Sequence, residues 1–322
     1  MEFSKVCTRW SRVSMQASVI FIGFMILVYF MRNAGFSGNR YSVHLQEHET
    51  VLQVADQIRT AHDTRYALYG EGESGANTDK HLHSYIRSMT SRHSPGERRQ
   101  AGHPGRLHYS QHGQSQYVDK LLKGRHNGVF LEAGAAEGEQ DSNSLFFELH
   151  RNWTGILMEA NPIRVKRLIT RNRNAFVVRA CLSVTTTPQV VKFTMTPTGK
   201  GGAISSNLNE FVWKAFKDFA KSEVFGDVYV QCFPLMSVLA ALNIHHIDYF
   251  SLDIEGAEVP VLKTIDWKKL TIDVITIEYN YQKDILQSLR TLFNETGLYK
   301  EVGLIPVGAD ETKAIDVVFT RR

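Results

Sequence analysis

The chain has 322 residues, room for one or two domains. Its net charge of +4 is mild for that length, and no basic stripe is interleaved with aromatics, so nucleic acid is not an expected partner. The three cysteines, Cys7, Cys181 and Cys232, form no Cys-x-x-Cys pair, which excludes cysteine-based zinc and redox motifs, and no metal site is predicted.

Residues 13–31 carry no charge. As a helix they would span about 28 Å, close to the hydrocarbon core of a bilayer. Lys5, Arg9 and Arg12 precede the segment, while Arg32 and Arg40 follow it. The positive-inside rule then leaves residues 1–12 as a cytosolic tail and sends the rest to the luminal or extracellular side. A cleaved signal peptide is the competing reading. Cleavage after Ala34 would put Arg32 where a small residue is needed, so an uncut anchor is favoured.

Residues 32–116 are polar and charged, with linker-like runs at 70–75 and 94–99, and read as a partly disordered stem. The stem histidines, His81 and His83 among them, have no carboxylate or cysteine cluster at ligand spacing and are not assigned a metal. Dense apolar periodicity starts at about residue 117 and runs to the C-terminus. A lead-in helix at 117–123 precedes alternating elements: strand 128–132, helix 143–151, strand 154–159, helix 162–172 and strand 175–180. An excursion follows, with a strand at 189–195, a Gly-rich loop at 199–206 and a helical stretch at 208–221. Alternation resumes with helix 234–242, strand 247–253, helix 257–265, strand 272–278 and helix 283–296. Two final strands, 299–305 and 313–320, should pair antiparallel. Such β/α alternation predicts a Rossmann-like α/β fold: a parallel sheet with a terminal antiparallel hairpin.

The stretch with most chemical content is the apolar run Val129-Phe130-Leu131, closed by Glu132 and followed by Gly134 and Gly138. A strand, a tight glycine turn and a helix start let backbone N–H groups approach a ligand. Glu159, 27 residues after Glu132 and at the end of a second apolar strand, sits where doubly wound folds place the acid that accepts from ribose hydroxyls. The two acids together point to a nucleotide-like cofactor. A bare strand–helix turn is the alternative.

These residues carry a resemblance. The run from Phe130 to Gly138, the segment Met158-Glu159-Ala160-Asn161-Pro162, and above all Asp253-Ile254-Glu255-Gly256-Ala257-Glu258 resemble the FkbM-type methyltransferase domain over most of 117–322. The resemblance implies the class I S-adenosylmethionine (SAM) methyltransferase fold, with SAM as cofactor. It places Glu132, Gly134 and Gly138 on the cofactor loop, Glu159 at the ribose, Cys181 and Leu182 beside the adenine, and Asp253, Glu255 and Glu258 at the transferred methyl. The family's usual loop is Asp-x-Gly-Ala-Asn-x-Gly; here Glu132 replaces its acid and Ala136 its asparagine. With the anchor and stem, the chain is similar to a membrane-anchored, Star-like animal branch of the family. That branch implies a single-pass type II protein of endoplasmic reticulum, Golgi, endosomal or plasma membranes.

Two functions are therefore expected in competition. One is methyl transfer, most simply O-methylation of a glycan or a small hydroxyl or carboxyl acceptor, with Asp253 or Glu255 as base. The other is non-catalytic trafficking, in which the same domain binds secretory cargo such as growth-factor precursors. Asp253 and Glu255, two apart, share a face if their strand stays regular. The alternative for 255–258 is the acidic N-terminus of the next helix. In an oxidising lumen Cys181 and Cys232 are expected to form one disulfide, against two buried thiols. Asn152 and Asn294 head N-glycosylation sequons, and Asn294 is the better acceptor.

Overall fold

The computed structural model describes residues 79–92, 101–195, 201–208, 214, 226–279, 284–307 and 310–322, all within one compact unit, Val51–Arg322. The predicted anchor at 13–31, most of the stem, and most of the 208–221 stretch lie outside the described residues. Among the described residues no helix is long and apolar enough to cross a membrane.

The first elements correct the expected boundary at residue 117. Helix α1 (Lys80–Ser88) and strand β1 (Thr90–Ser91) fall within the predicted stem, yet both are part of the folded domain. Asp79 caps α1, accepting from the His81 N–H at 2.8 Å, and Leu82 and Ile86, four apart, bury one helix face. β1 pairs antiparallel with β4 (Ala175–Val178). Further on, Ala101, Tyr109 and Leu145 form a small buried cluster of their own. The physical reason is that two buried residues per helix anchor it, while its other positions are polar and read as stem.

After helix α2 (Gln114–Leu121), the chain alternates through β2 (Val129–Ala133), α3 (Leu145–His150), β3 (Thr154–Met158), α4 (Pro162–Thr170) and β4. Then come β5 (Cys181–Leu182), β6 (Gln189–Met195), β7 (Gly202–Ile204) and β8 (Gly226–Phe233). The second half runs α5 (Leu235–Leu242), β9 (His246–Leu252), α6 (Glu258–Lys263), β10 (Thr271–Glu278), α7 (Ile285–Thr296), β11 (Tyr299–Val307) and β12 (Asp310–Arg321).

Eight strands form one sheet in the order β1-β4-β3-β2-β9-β10-β12-β11. Its centre, β4 through β10, is parallel; β12 runs antiparallel to both β10 and β11, the expected terminal hairpin. Both faces are covered, so neighbouring residues enter different cores: Leu131 and Ile156 pack on one side, Phe130 and Leu157 on the other. The chain leaves β2 outward to β3 and β4, then returns to the other side of β2 as β9. That reversal opens a crevice beyond the C-terminal ends of β2 and β9, where doubly wound sheets bind ligands.

The excursion between the halves is a second sheet, in the order β5-β8-β6-β7. β8 is absent from the sequence reading, and β7 replaces part of the expected Gly-rich loop. Cys181 of β5 and Cys232 of β8 are register partners and form a disulfide, with Cα atoms 4.3 Å apart. The bridge joins two neighbouring strands of this second sheet.

Candidate functional site

The crevice at the switch point is a cavity of about 490 Å³. Its walls come from the β2 turn (Gly134 to Glu137), the end of β3 (Glu159 to Asn161), the start of β5 (Cys181, Leu182), the end of β9 (Asp253 to Glu255) and Glu278. Phe193, Gly202 and Ile204 of the second sheet face it as well.

Backbone geometry builds the β2 turn. Gly134 and Gly138 have φ of +85° and +71°, the left-handed region that glycine enters without penalty. A Cβ on Gly134 would run into the Asp253 carbonyl oxygen, so only glycine lets the turn lie against the end of β9. Ala136 is also left-handed, at φ +48°. Asparagine tolerates that region better than alanine, which gives a backbone reason for the family's usual residue there.

Glu159 closes β3 and is buried. Its carboxylate accepts the Ala136 N–H and the Asn161 N–H, each at 2.7 Å, and so joins the glycine turn to the start of α4. Asn161 in turn caps α4, accepting from the Ile163 N–H at 3.0 Å with Pro162 in the first turn. Burial pushes Glu159 up to about 7, against the pull of those N–H donors and of Arg164. A carboxylate has about four acceptor positions, so two bonds leave it room to accept from a ligand in the cavity.

Glu132 stands near the end of β2 and is buried. It borders the cavity, but its carboxylate is engaged from behind, by the Ser142 hydroxyl at 2.9 Å, the Asn143 N–H at 2.7 Å and the Ser144 hydroxyl. It organises the start of α3. Beside it Arg173, 1% exposed, donates to Glu148 at 2.6 Å, to Ser144 at 2.9 Å and to the Gly138 carbonyl. Arg173 thus holds the far side of the glycine turn. No sequence motif reveals it, because its partners are 25 to 35 residues away.

The acidic motif after β9 divides into two roles. Asp253 donates its N–H to the Ala133 carbonyl at 3.2 Å, faces the cavity, and contacts Glu278 through its carboxyl. Glu255 also lines the cavity, but at φ +57° the strand is no longer regular, so the premise that it shares a face with Asp253 fails. Glu258, expected among the catalytic acids, is buried away from the cavity and accepts the N–H groups of Ile254 at 2.9 Å and Gly256 at 3.2 Å. It shapes the loop at the start of α6, the role that the helix-terminus alternative assigns to this stretch. Burial raises it to about 7.

Glu278 and Asp316 complete the acidic group. They are register partners on β10 and β12, both buried, and Asp316 accepts from the Gln114 side chain at 2.7 Å. Burial pushes Asp316 up to about 7, with the nearby Asp253 charge adding to it. Glu278 carries a readable signal: like Glu132 and Glu159, it is a carboxylate closing an apolar strand.

Among the described residues one group has metal-ligand spacing, His246, Asp248 and Asp273, at the opposite end of the sheet. Arg125 already fills it, its guanidinium 2.5 Å from both Asp248 and Asp273. Of the two sequons, Asn152 is exposed in a left-handed turn and Asn294 is exposed in the last turn of α7.

The FkbM methyltransferase domain matches residues 132–299, more than half of the chain, and the chain belongs to that family. It carries a SAM-dependent methyltransferase domain. No curated protein matches the sequence. Similar solved structures include precorrin-6y C5,15-methyltransferase from Geobacter metallireducens, 12% identical over 69% of this chain and 94% of that one, with a TM-score of 0.35. A Burkholderia thailandensis 1,6-didemethyltoxoflavin-N1-methyltransferase solved with S-adenosylhomocysteine is 14% identical over 66% and 77%, TM-score 0.33. The human methyltransferase 10 domain containing protein is 11% identical over 74% and 91%, TM-score 0.35. The family assignment rests on the domain match.

Proposed function

We propose that the cavity binds SAM along the β2 turn and the end of β3, and that the domain methylates an oxygen of a glycan or other hydroxyl-bearing acceptor. The observation that carries this is the convergence on one cavity of Glu159, the Gly134 turn and Asp253. Glu159 would take the ribose hydroxyls. Cys181 and Leu182 would border the adenine. Bound SAM supplies an electrophilic methyl group. The protein then holds the acceptor in line with it and removes the acceptor's proton. A carboxylate acceptor is disfavoured, because the acidic Asp253 and Glu255 line the space it would enter.

We place the domain on the luminal or extracellular side of a secretory-pathway membrane, anchored by residues 13–31. The disulfide and the exposed Asn152 and Asn294 support that reading. A Star-like trafficking role without turnover is the second reading. Ala136 favours it, since the loop lacks the amide its family usually carries there.

Calorimetric titration of the full-length protein with SAM and with S-adenosylhomocysteine separates the two. Saturable binding that weakens about tenfold or more in Glu159→Ala supports the enzyme, the loss expected for hydrogen bonds to a charged group. A folded protein that binds neither ligand supports the cargo-binding reading.

A further inference from the structure

The acidic end of the cavity contains a pair of carboxyls whose contact needs explaining. β9 and β10 run parallel with Leu252 opposite Ile277, so the next residues, Asp253 and Glu278, emerge side by side and touch. After burial and their action on each other, the groups acting on them are also acids: Asp141 on Asp253, and Glu255 and Glu258 on Glu278. From β12, Asp316 adds a further carboxyl within reach of the Asp253 charge. Among the described residues, no lysine, arginine or histidine is one of these strongest influences. Two carboxylates in contact cannot both be ionised without a positive charge between them.

The two differ in solvation. Glu278 is 5% exposed, and its Oε2 receives no hydrogen bond from any N–H or O–H among the described residues. Asp253 is half-buried and opens onto the cavity. Desolvation penalises the charged form more at the deeper site, so a single shared proton belongs on Glu278 and the negative charge on Asp253.

We propose that Glu278 is a positioning residue for methyl transfer: it stays protonated at neutral pH, donates that proton in a hydrogen bond to Asp253, and holds Asp253 as the ionised base facing the acceptor. This rests on the reading of the cavity as a methyltransferase site. Burial, and then the neighbouring Asp253 charge, hold Glu278 well above the usual carboxylate range, in keeping with the assignment. In the reaction the acceptor oxygen bonds the methyl carbon of a sulfonium donor while the carbon–sulfur bond breaks and leaves its electron pair on sulfur. The hydroxyl proton passes to Asp253 and is later released to water. Glu278 keeps its own proton throughout.

The pair can be examined without cofactor or acceptor, so the result stands apart from whether SAM binds. Infrared spectra of the full-length protein near neutral pH, wild type minus Glu278→Gln, should contain one protonated-carboxyl band that the variant loses. Gln keeps an N–H donor for Asp253, so E278Q should melt within a few degrees of wild type. Should E278Q not fold, Asp253→Asn gives the second subtraction: the Glu278 acid band should persist but shift, because its acceptor has become an amide. A difference spectrum holding only ionised-carboxylate bands at neutral pH would overturn the proposal. So would saturable loss of the acid band on adding magnesium or manganese, which would put a cation, not a proton, between the two groups.

Discussion

The two ends of the cavity are both rich in carboxylates, and they use them in opposite ways. At the glycine turn, Glu132 and Glu159 accept backbone or hydroxyl donors, and Arg173 lies behind Glu132. At the end of β9, Asp253 and Glu278 touch each other among further acids. The first arrangement fixes a loop, as buried polar groups do when their partners are supplied. The second leaves negative charge facing the space where an acceptor would lie. Residue type and spacing alone do not separate these roles; what else claims each oxygen does.

The largest effect should come from breaking the glycine-turn end. Arg173→Met leaves Glu148 and Glu132 buried without their cation, and a broken buried pair costs about 3–5 kcal/mol. Denaturant unfolding checks this; a loss under about 1 kcal/mol would mean that the network is dispensable.

The acidic end should respond to pH. Asp316 is raised to about 7 by burial, so it binds its proton more tightly folded than unfolded. Its contribution is therefore fully present below the ordinary carboxylate range and is lost as pH rises to about 7. Glu159 and Glu258, raised to about 7 as well, act in the same direction. Thermal melting should fall between about pH 5 and pH 8, and Asp316→Asn should flatten the fall, gaining on the order of 1 kcal/mol at the upper end. A melting temperature that rises over that range would contradict the assignment.

The smallest effect sharpens the turn itself. Ala136→Gly relieves a left-handed backbone position and should stabilise by about 0.5–1 kcal/mol in chemical unfolding. Destabilisation would show that the turn tolerates alanine without strain.

Much of this architecture is legible in the sequence because the parallel strands are short apolar runs that end in a charged or turn residue. That pattern locates β2, β3, β9 and β10, and with them Glu132, Glu159 and Asp253 as candidate positions; Glu278 closes β10 in the same way but is not among the residues the motifs single out. The pattern does not assign their roles. Whether an acid faces the cavity or a helix start depends on Ser142, Asn143 and Ser144 in one case and on the Ile254 and Gly256 N–H groups in another. Arg173 is invisible for the same reason, since its partners meet only after folding. α1 escapes because its burial rests on Leu82 and Ile86 within a polar stretch. β8 escapes because its inward residues belong to a sheet whose other strands are distant in sequence.

The proposed function requires one cavity to join a cofactor end at Glu159 to a reactive end at Asp253. A crystal structure of the full-length protein with S-adenosylhomocysteine tests it most directly. Ribose hydroxyls should lie within hydrogen-bond distance of the Glu159 carboxylate, with the ligand sulfur directed toward Asp253. A ligand bound away from Glu159, or lying with its sulfur turned from Asp253, would contradict it.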